Sequence, residues 1–214
     1  MMIDGQCRAG QKLHETKVAT QLSISRNTLR EAFRVLESQG LVTHIPNRGV
    51  YVTAADEARV IDIFRMRTMI QCRALHLAHK THPGVRVMRD AAKAGEHAAL
   101  LSDWKAAVQH NIEYHRAMVT LCDSSRISGV FELTLTELSL VLSQLDDIAN
   151  IHAPFLPLNF QIVSLIVTQE NSGAVALLES YLLNSERTIL GALQRTKKET
   201  RFGLSEQSRV ATTP

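Results

Sequence analysis

Apolar and polar positions in the first 53 residues predict two short helices joined by a tight turn. Apolar residues at helical spacing mark the first helix, namely Leu13, Val18, Ala19 and Leu22. The polar stretch 23–25 interrupts this pattern, and the hydroxyl of Ser25 is a favourable N-cap for a second helix over about 26–39. The apolar side chains of that helix share one face, at Leu29, Ala32, Phe33 and Leu36.

Arg26 and Arg30 project together from the first turns of the second helix, because residues four apart are neighbours on a helix surface. They lie away from the apolar face, so one side of the helix can pack while another contacts a ligand. Such a helix can place its N-terminal residues against base edges and phosphates in the major groove of DNA. The spacing therefore indicates a recognition helix.

Two β-prone runs follow this helix, at 41–43 and 50–52. Gly40 is a natural helix stop, and the PNRG sequence at 46–49 is typical of a tight turn between strands. A glycine beside Arg48 at the tip allows the backbone to approach DNA closely while the guanidinium enters or flanks a minor groove. We interpret this segment as a wing.

The rest of the chain predicts a bundle of six helices. Apolar residues recur at spacings of three and four from residue 55 onward, and short polar breaks separate the segments. The predicted helices cover 55–80, 84–100, 103–122, 126–149, 158–170 and 172–195. The tail over 196–214 has scattered charge and few large apolar residues, which predicts disorder. The expected fold is mainly α, with a winged helix-turn-helix domain over 1–53 and an all-α domain over 54–195.

The net charge of +3 is confined to the N-terminal domain. Residues 1–53 hold seven Lys or Arg and four Asp or Glu, whereas the remaining residues carry equal numbers of both. The positive excess is therefore local and is consistent with phosphate attraction by one domain. A solvated surface of modest positive charge is the alternative interpretation.

Several other classes of protein are not indicated. No run of eighteen apolar residues and no secretory signal is visible, which predicts a cytoplasmic location. Three widely spaced cysteines without a C-x-x-C pair favour neither a disulfide framework nor a zinc finger. His76, His79 and His82 recur at intervals of three, but no nearby carboxylate completes a metal site, so we expect a solvated helix end. No catalytic motif occurs, and we expect no enzyme activity.

The segment SRNTLREAFRVLESQGLV followed by NRGVYV closely resembles the winged helix-turn-helix of GntR-type bacterial transcription regulators. In that family both arginines of the pattern S-R-x-x-x-R-E-A contact DNA, and the R-G pair at the wing tip enters the minor groove. The resemblance therefore implies a DNA-binding surface on this chain. Its candidate residues are Ser25, Arg26, Asn27, Thr28, Arg30, Arg48 and Gly49.

The chain departs from the family pattern in two places. Thr16 occupies a position that is usually basic, and Lys17 stands beside it. The chain also begins near the end of the first helix that family members carry, so we expect that helix to be truncated. Because this helix normally covers one side of a small core, its loss would expose apolar surface and weaken the domain.

The helical part resembles the FCD ligand-binding domain of the FadR-like branch of this family. The resemblance rests on the order of helices, on R-x-x-x-Q at 67–71 where the family often has R-x-x-x-E, and on the segment NIEYHRAMVTLCDSSRI. In such domains an aspartate and three histidines bind a metal, next to which a small carboxylate docks. Here Asn111 takes the position of the aspartate and His115 remains, whereas Asn159 and Tyr181 take the positions of the other histidines.

One imidazole, two amides and a phenol form a poor site for a transition metal, because amide oxygens bind weakly and a phenol must lose a proton with a pKa near ~10. We therefore expect no cofactor and no tight metal binding, with only His115 of the metal site retained. The pocket can still bind an organic effector through hydrogen bonds and the planar fork of an arginine. The candidate effector-binding residues are Arg67, Asn111, His115, Asn159 and Tyr181, and the candidate effector is a carboxylate metabolite.

These features predict a metabolite-responsive repressor that binds a palindromic DNA operator as a homodimer, since two linked copies of a small reader multiply its affinity. The alternative is a helical ligand-binding or dimerisation protein whose DNA-binding domain is defective. The two hypotheses differ in the salt dependence of binding, because phosphate contacts weaken steeply as the salt concentration rises.

Overall fold

The computed structural model describes residues 10–54, 56–145 and 147–210. The chain separates into two compact units. The first contains the residues up to 56 together with 136–144, a segment that the sequence predicts within the helical domain. The second contains 57–135 and the residues from 145 onward. The expected truncation of the first helix concerns residues 1–9, which lie outside the described residues.

Two helices and a three-stranded antiparallel sheet form the N-terminal part of the first unit. Their order is β1 (Lys12–Leu13), α1 (Glu15–Leu22), α2 (Arg26–Ser38), β2 (Val42–Ile45) and β3 (Gly49–Val52). Strand β3 lies between β1 and β2 in the sheet. Leu13 pairs with Val50, so its assignment to the first helix is wrong. A strand of two residues is too short to produce the alternating pattern that identifies strands in a sequence.

Helix α2 begins where the sequence predicts, because the Ser25 hydroxyl accepts a hydrogen bond from the backbone N–H of Thr28 at 3.0 Å. Leu29 and Phe33 are buried, whereas Ala32 is exposed, so the packed face of α2 is narrower than the predicted face. These two side chains join a core that also includes Ala19, Leu41, Val42, Val50 and Val52.

The wing has the predicted hairpin form. Strands β2 and β3 pair from Val42 with Val52 to Ile45 with Gly49. The turn is closed by a hydrogen bond from the Arg48 N–H to the Ile45 carbonyl at 3.0 Å. Gly49 has a φ of 101°, a conformation that residues with a side chain rarely adopt, which explains the glycine at the tip.

The second unit is built from long helices that pack as a bundle. They are α3 (Glu57–Leu77), α4 (Pro83–Leu100), α5 (Trp104–Thr120), α6 (Ser125–Leu142), α7 (Ile148–His152), α8 (Leu156–Val167) and α9 (Asn171–Val210). Residues 136–142 of α6 are the exception, because they belong to the first unit. Helix α3 packs against α5 and α9, α4 against α5 and α8, and α8 against α9. The six long helices correspond to the six predicted ones, and α7 is an additional short helix.

The segment between α6 and α8 differs from its prediction. Helix α6 ends at Leu142 and not near residue 149, and Asp147, with a left-handed φ of 58°, begins the short α7. A 3-10 turn over Ala153–Phe155 then leads into α8, and a proline lies in the first turn of each of these last two elements, where its missing N–H is tolerated. Residues 148–167 are apolar enough for a membrane span, with a mean hydropathy of 1.3, but the 3-10 turn divides them and Ile151, Ile162 and Ile166 are buried within the protein.

Helix α9 continues to Val210, into the tail for which the sequence predicts disorder. Residues 196–210 contain many residues with good helix propensity, and the first proline after them is Pro214. Composition favoured disorder there because large apolar residues are few, but it did not account for continuation of a helix that is already formed.

The start of α4 generates a stability prediction. A Cβ added at Gly84 would lie 2.5 Å from the Thr120 hydroxyl oxygen and 3.1 Å from the Ala117 carbonyl oxygen, because α4 approaches α5 closely there. We expect Gly84→Ala to lower the free energy of unfolding by about 1–3 kcal/mol. Gly129→Ala is the matched control, since no atom lies within 4 Å of its added Cβ and alanine favours a helix interior.

Urea unfolding curves of both variants test this prediction. If Gly84→Ala is as stable as Gly129→Ala, the prediction is wrong, and α4 and α5 can move apart there without loss of stability.

Candidate DNA-binding surface and effector site

The candidate DNA-binding residues at the start of α2 are exposed. Arg26 is the first residue of the helix, and Asn27 follows it in the first turn. The hydroxyl groups of Ser25 and Thr28 also form a hydrogen bond of 2.8 Å. Both residues therefore contribute to the N-cap of α2 as well as to the exposed surface. The cap thereby fixes the direction in which Arg26 and Asn27 leave the backbone.

Arg30 has a partner that the sequence did not indicate. Its Nε donates a hydrogen bond to a carboxylate oxygen of Glu15 on α1 at 3.1 Å. Both side chains remain accessible, with exposures of 60% for Arg30 and 36% for Glu15, so the pair is an oriented surface contact and adds little stability. The contact engages only the Nε edge of the guanidinium, so its terminal nitrogens remain available to a ligand.

The wing tip presents an exposed Arg48 next to Gly49. Tyr51 donates its hydroxyl to the Arg48 carbonyl at 3.4 Å, and a Cβ at Gly49 would touch the side chain of Lys12 at 3.4 Å. Gly49 therefore permits the positive φ of the turn and also leaves space next to the side chain of Lys12. All seven candidate DNA-binding residues lie in the first unit.

The five candidate effector-binding residues meet in the interior of the second unit. Arg67 comes from α3, Asn111 and His115 from α5, Asn159 from α8 and Tyr181 from α9, and all five are buried. The spacing of four on α5 placed Asn111 and His115 on one helix face, as expected from the sequence. Packing of the four helices then brings that face against the other three side chains.

Hydrogen bonds link four of these five side chains to one another and to Gln71. Gln71 donates its amide N–H to His115 Nδ1 at 2.8 Å, so the imidazole carries its proton on Nε2. His115 Nε2 then donates to the Tyr181 hydroxyl at 3.1 Å, and that hydroxyl donates to Asn111 Oδ1 at 3.3 Å. Asn159 donates to the same oxygen at 2.9 Å. We name this set of five residues the polar chain.

Arg67 lies beside the polar chain with an exposure of only 2%. Its guanidinium stands 4.8 Å from the ring centre of Phe64, and its Nε has no hydrogen-bond partner among the described residues. Burial lowers the pKa of Arg67 to about 10, and no carboxylate of the described part of the chain opposes this effect. Among the described residues, the guanidinium is therefore a buried charge without a counterion.

Two histidines share the electrostatic environment of Arg67. Burial, together with the smaller effect of the nearby Arg67 charge, lowers the pKa of His152 to about 4. Burial, Arg67 and His152 together hold the pKa of His115 well below its usual range. Both imidazoles are therefore neutral at pH 7, and burial correspondingly raises the pKa of the Tyr181 phenol.

The metal-binding role that the FCD resemblance implies is not supported by the donor set. His115 is the one imidazole on the polar chain, and both of its nitrogens are engaged by Gln71 and Tyr181. Asn111 Oδ1 already accepts two hydrogen bonds. Within the described ranges no three His, Cys, Asp or Glu side chains form a group that could hold a metal. The residues present do not fit a tight divalent site.

Sequence reasoning missed two members of this site. Gln71 entered only as part of the R-x-x-x-Q pattern, yet it is fully buried and orients His115. His152 lies in the short helix α7, which the sequence did not predict, and no spacing pattern indicated a role for it. The histidines at intervals of three, His76, His79 and His82, do not form one site. His82 caps α4 and contacts Asp123, whereas His79 contacts Thr81.

Comparison with known proteins identifies the family. The model of the gntR family of bacterial regulatory proteins matches residues 1–52, and the model of the FCD domain matches residues 62–184. A solved GntR transcriptional regulator from Rhodococcus sp. RHA1 is 30% identical, with a TM-score of 0.83 over 89% of this chain and 92% of that chain. The structure of E. coli McbR/YncC shares the fold, with 16% identity and a TM-score of 0.76 over 88% and 91% of the two chains.

The chain belongs to the GntR family of bacterial regulatory proteins and carries an FCD domain. The predictions of this family and of a winged helix-turn-helix followed by a helical bundle are thereby confirmed. The Nta operon transcriptional regulator of Aminobacter aminovorans is 29% identical over 42% of this chain. That match spans 44% of the relative, less than half of its length. A D-xylose utilization operon regulator of Paenarthrobacter nicotinovorans is 24% identical over 71% of this chain and 70% of its own.

The lowered pKa of His152 generates a prediction for stability. Because the folded state holds this pKa near 4, the folded protein binds fewer protons than the unfolded chain between pH 6.5 and 4. Stability is therefore full above pH 6.5 and falls as the pH drops toward 4, by up to about 3 kcal/mol for this group. Replacing His152 with leucine removes the group and should flatten this dependence.

Urea unfolding between pH 7.5 and 4.5 measures this effect. His97→Gln is the control, since it removes an imidazole at an exposed position of α4. An unaltered slope in the His152→Leu chain would contradict the assignment.

Proposed function

We propose that this protein is a metabolite-responsive transcriptional regulator that binds a palindromic operator as a homodimer. The observation that carries the proposal is the pair of exposed arginines, Arg26 and Arg30, on a capped helix of a winged helix-turn-helix. Cationic side chains in the first turns of such a helix can reach base edges and phosphates in a major groove. Arg48 and Gly49 at the wing tip would add a minor-groove contact.

Several features support a dimer as the active form. One small winged helix reaches few base pairs, and two linked copies on a palindrome gain affinity through effective concentration. Large apolar side chains are also exposed on the second unit, notably Met69 on α3 with Ile127 and Val130 on α6. Apolar surface of this kind is suited to a second copy of the chain. We further propose a cytoplasmic location, where such a regulator meets DNA.

The helical unit would bind the effector. The buried guanidinium of Arg67 has no carboxylate partner among the described residues, and together with the neighbouring amide and imidazole groups it is suited to a carboxylate. Effector binding there would alter DNA affinity through a coupling free energy between the two sites. The relative from Paenarthrobacter nicotinovorans is named a transcriptional repressor, and we propose the same direction of control for this chain.

The proposal predicts the effect of removing each recognition-helix arginine. Arg26→Ala and Arg30→Ala should each weaken specific DNA binding by about 1–3 kcal/mol, because a base or phosphate contact is lost. Arg116→Ala removes the same charge from α5 of the second unit and serves as the control. Fluorescence anisotropy with DNA from upstream of the protein's own coding region, at two salt concentrations, measures the affinities.

Equal loss in all three variants would assign the effect to net charge and not to recognition. Salt-sensitive binding to this DNA but not to a scrambled sequence supports a working regulator. Weak binding to both would favour the alternative of a helical ligand-binding or dimerisation protein with a defective DNA-binding domain.

We also propose that the effector site works without a divalent metal, since the four positions that bind the metal in the family carry one imidazole, two amides and a phenol here, which form a weak donor set. Protein purified after growth with added zinc or nickel and then dialysed should contain far less than one metal per chain. Mass spectrometry of the metal content is the measurement. An equimolar metal that survives dialysis and is lost in His115→Ala would overturn this proposal.

A further inference from the structure

One of the two recognition-helix arginines is held by a carboxylate from another helix. The Nε of Arg30 donates a hydrogen bond to Glu15 Oε2 at 3.1 Å, which links α2 to the start of α1. Arg34, one turn further along α2, is paired at 2.7 Å with Glu31 of its own helix. Arg26 has no hydrogen-bond or ion-pair partner among the described residues. Glu15 therefore restrains one recognition arginine and leaves the other without such a restraint.

The contact with Glu15 leaves the base-reading edge of the Arg30 guanidinium available. An arginine carries its N–H donors in a rigid planar fork, and Glu15 engages the one on Nε. The two terminal nitrogens can together bind O6 and N7 of a guanine, which is the commonest base-specific contact that proteins make. Because the guanidinium is planar, holding Nε also fixes the plane in which these two donors lie.

Arg30 needs such a restraint because its surroundings leave it room to move. Its side chain is exposed, and with Glu15 it lines a cavity of about 340 Å³ whose other lining residues include Phe33, Val42 and Glu37. An arginine side chain has large rotamer entropy, which is lost when the side chain is ordered by a ligand. A side chain that is already held in one orientation loses less on binding.

The position of Glu15 suits this role. It is the first residue of α1, where the positive end of the helix dipole favours a carboxylate. A negative charge beside Arg30 also repels DNA phosphates, whatever the base sequence. The carboxylate thus weakens contact with the DNA backbone in general, while it orients a side chain that can read a base. Both effects favour one DNA sequence over others.

We propose that Glu15 is a positioning residue for DNA recognition, which holds the Arg30 guanidinium for a base contact and thereby raises the selectivity of the protein for its operator. Glu15 itself makes no contact with the base in this arrangement. Its effect passes through the Nε of Arg30, so it should disappear in a chain that lacks this arginine. This inference rests on the proposed function, in which α2 is the recognition helix.

The first test measures base preference. The full chain and its Glu15→Ala, Arg30→Ala and Arg26→Ala variants each select binding sites from a random pool of duplex DNA, and sequencing gives the preference at every position. We expect Glu15→Ala to weaken the preference at the positions that Arg30→Ala affects. The positions that Arg26→Ala affects should keep their preference in the Glu15→Ala chain.

Fluorescence anisotropy then gives the affinities for the selected site and for a scrambled sequence. We expect Glu15→Ala to lower the ratio of these two affinities at least about fivefold, the loss that follows when a bidentate base contact is weakened. Binding to the scrambled sequence should stay the same or become tighter, because a repulsive charge has been removed. Partial unfolding would lower both affinities together and leave their ratio unchanged, and Tm values of the variants check for it.

Two matched variants separate orientation from charge. Glu15→Gln removes the charge but keeps an oxygen that can accept from the Arg30 Nε, so it should retain most of the base preference. Glu31→Ala removes an equal charge from α2 and releases Arg34 in place of Arg30. It should change the affinities for both DNA sequences by similar factors.

A double-mutant cycle tests the route of the effect. Glu15→Ala should not lower the affinity ratio further when it is added to Arg30→Ala, whereas it should have its full effect when it is added to Arg26→Ala. A further fall in the ratio without Arg30 would assign the effect to the charge of Glu15 and would contradict the inference. So would a Glu15→Gln chain whose ratio is as low as that of Glu15→Ala.

Failure of this inference is distinguishable from failure of the proposed function. If the unaltered chain selects a specific site and Glu15→Ala selects the same site with equal preference at every position, the function stands and the role of Glu15 is wrong. If the unaltered chain selects no site from the pool, the proposed function fails, and the inference fails with it.

Discussion

The packing of the second unit depends on a directed set of hydrogen bonds in its interior. Donation runs from Gln71 through His115 and Tyr181 to Asn111, and Asn159 joins at the same oxygen. These side chains come from four helices, so a shift of any one helix would break at least one buried hydrogen bond. Leaving a buried donor or acceptor unpaired is costly, and the network therefore selects one arrangement of α3, α5, α8 and α9.

That arrangement places a charge where it is least stable by itself. Arg67 is buried beside the network and contacts Phe64, and its charge also disfavours protonation of His115 and His152. A buried cation that has no carboxylate partner among the described residues lowers stability, and binding of an anion beside it would offset that cost. The first unit uses arginine differently, because Arg26 and Arg30 remain in water, where their charge costs little and is available to DNA.

Local sequence patterns were sufficient for much of the fold and for part of the candidate site. The cap at Ser25, the wing turn and the periodicity of the long helices each depend on residues within a few positions of one another. The spacing of Asn111 and His115 likewise required only the geometry of one helix. The resemblance to the FCD domain then indicated that Asn159 and Tyr181, on two later helices, belong to the same site as Asn111 and His115.

Contacts between distant segments account for what the sequence did not reveal. The contact of Arg30 with Glu15, the strand that contains Leu13 and the short helix that carries His152 leave no periodic trace, because each depends on how separate segments pack. The sequence by itself determined which polar groups the helices carry and at what spacing, since helical geometry is local. The tertiary structure decided which of those groups satisfy one another and which, above all Nε of Arg67, have no partner among the described residues, since hydrogen bonding and burial depend on all the helices that meet there.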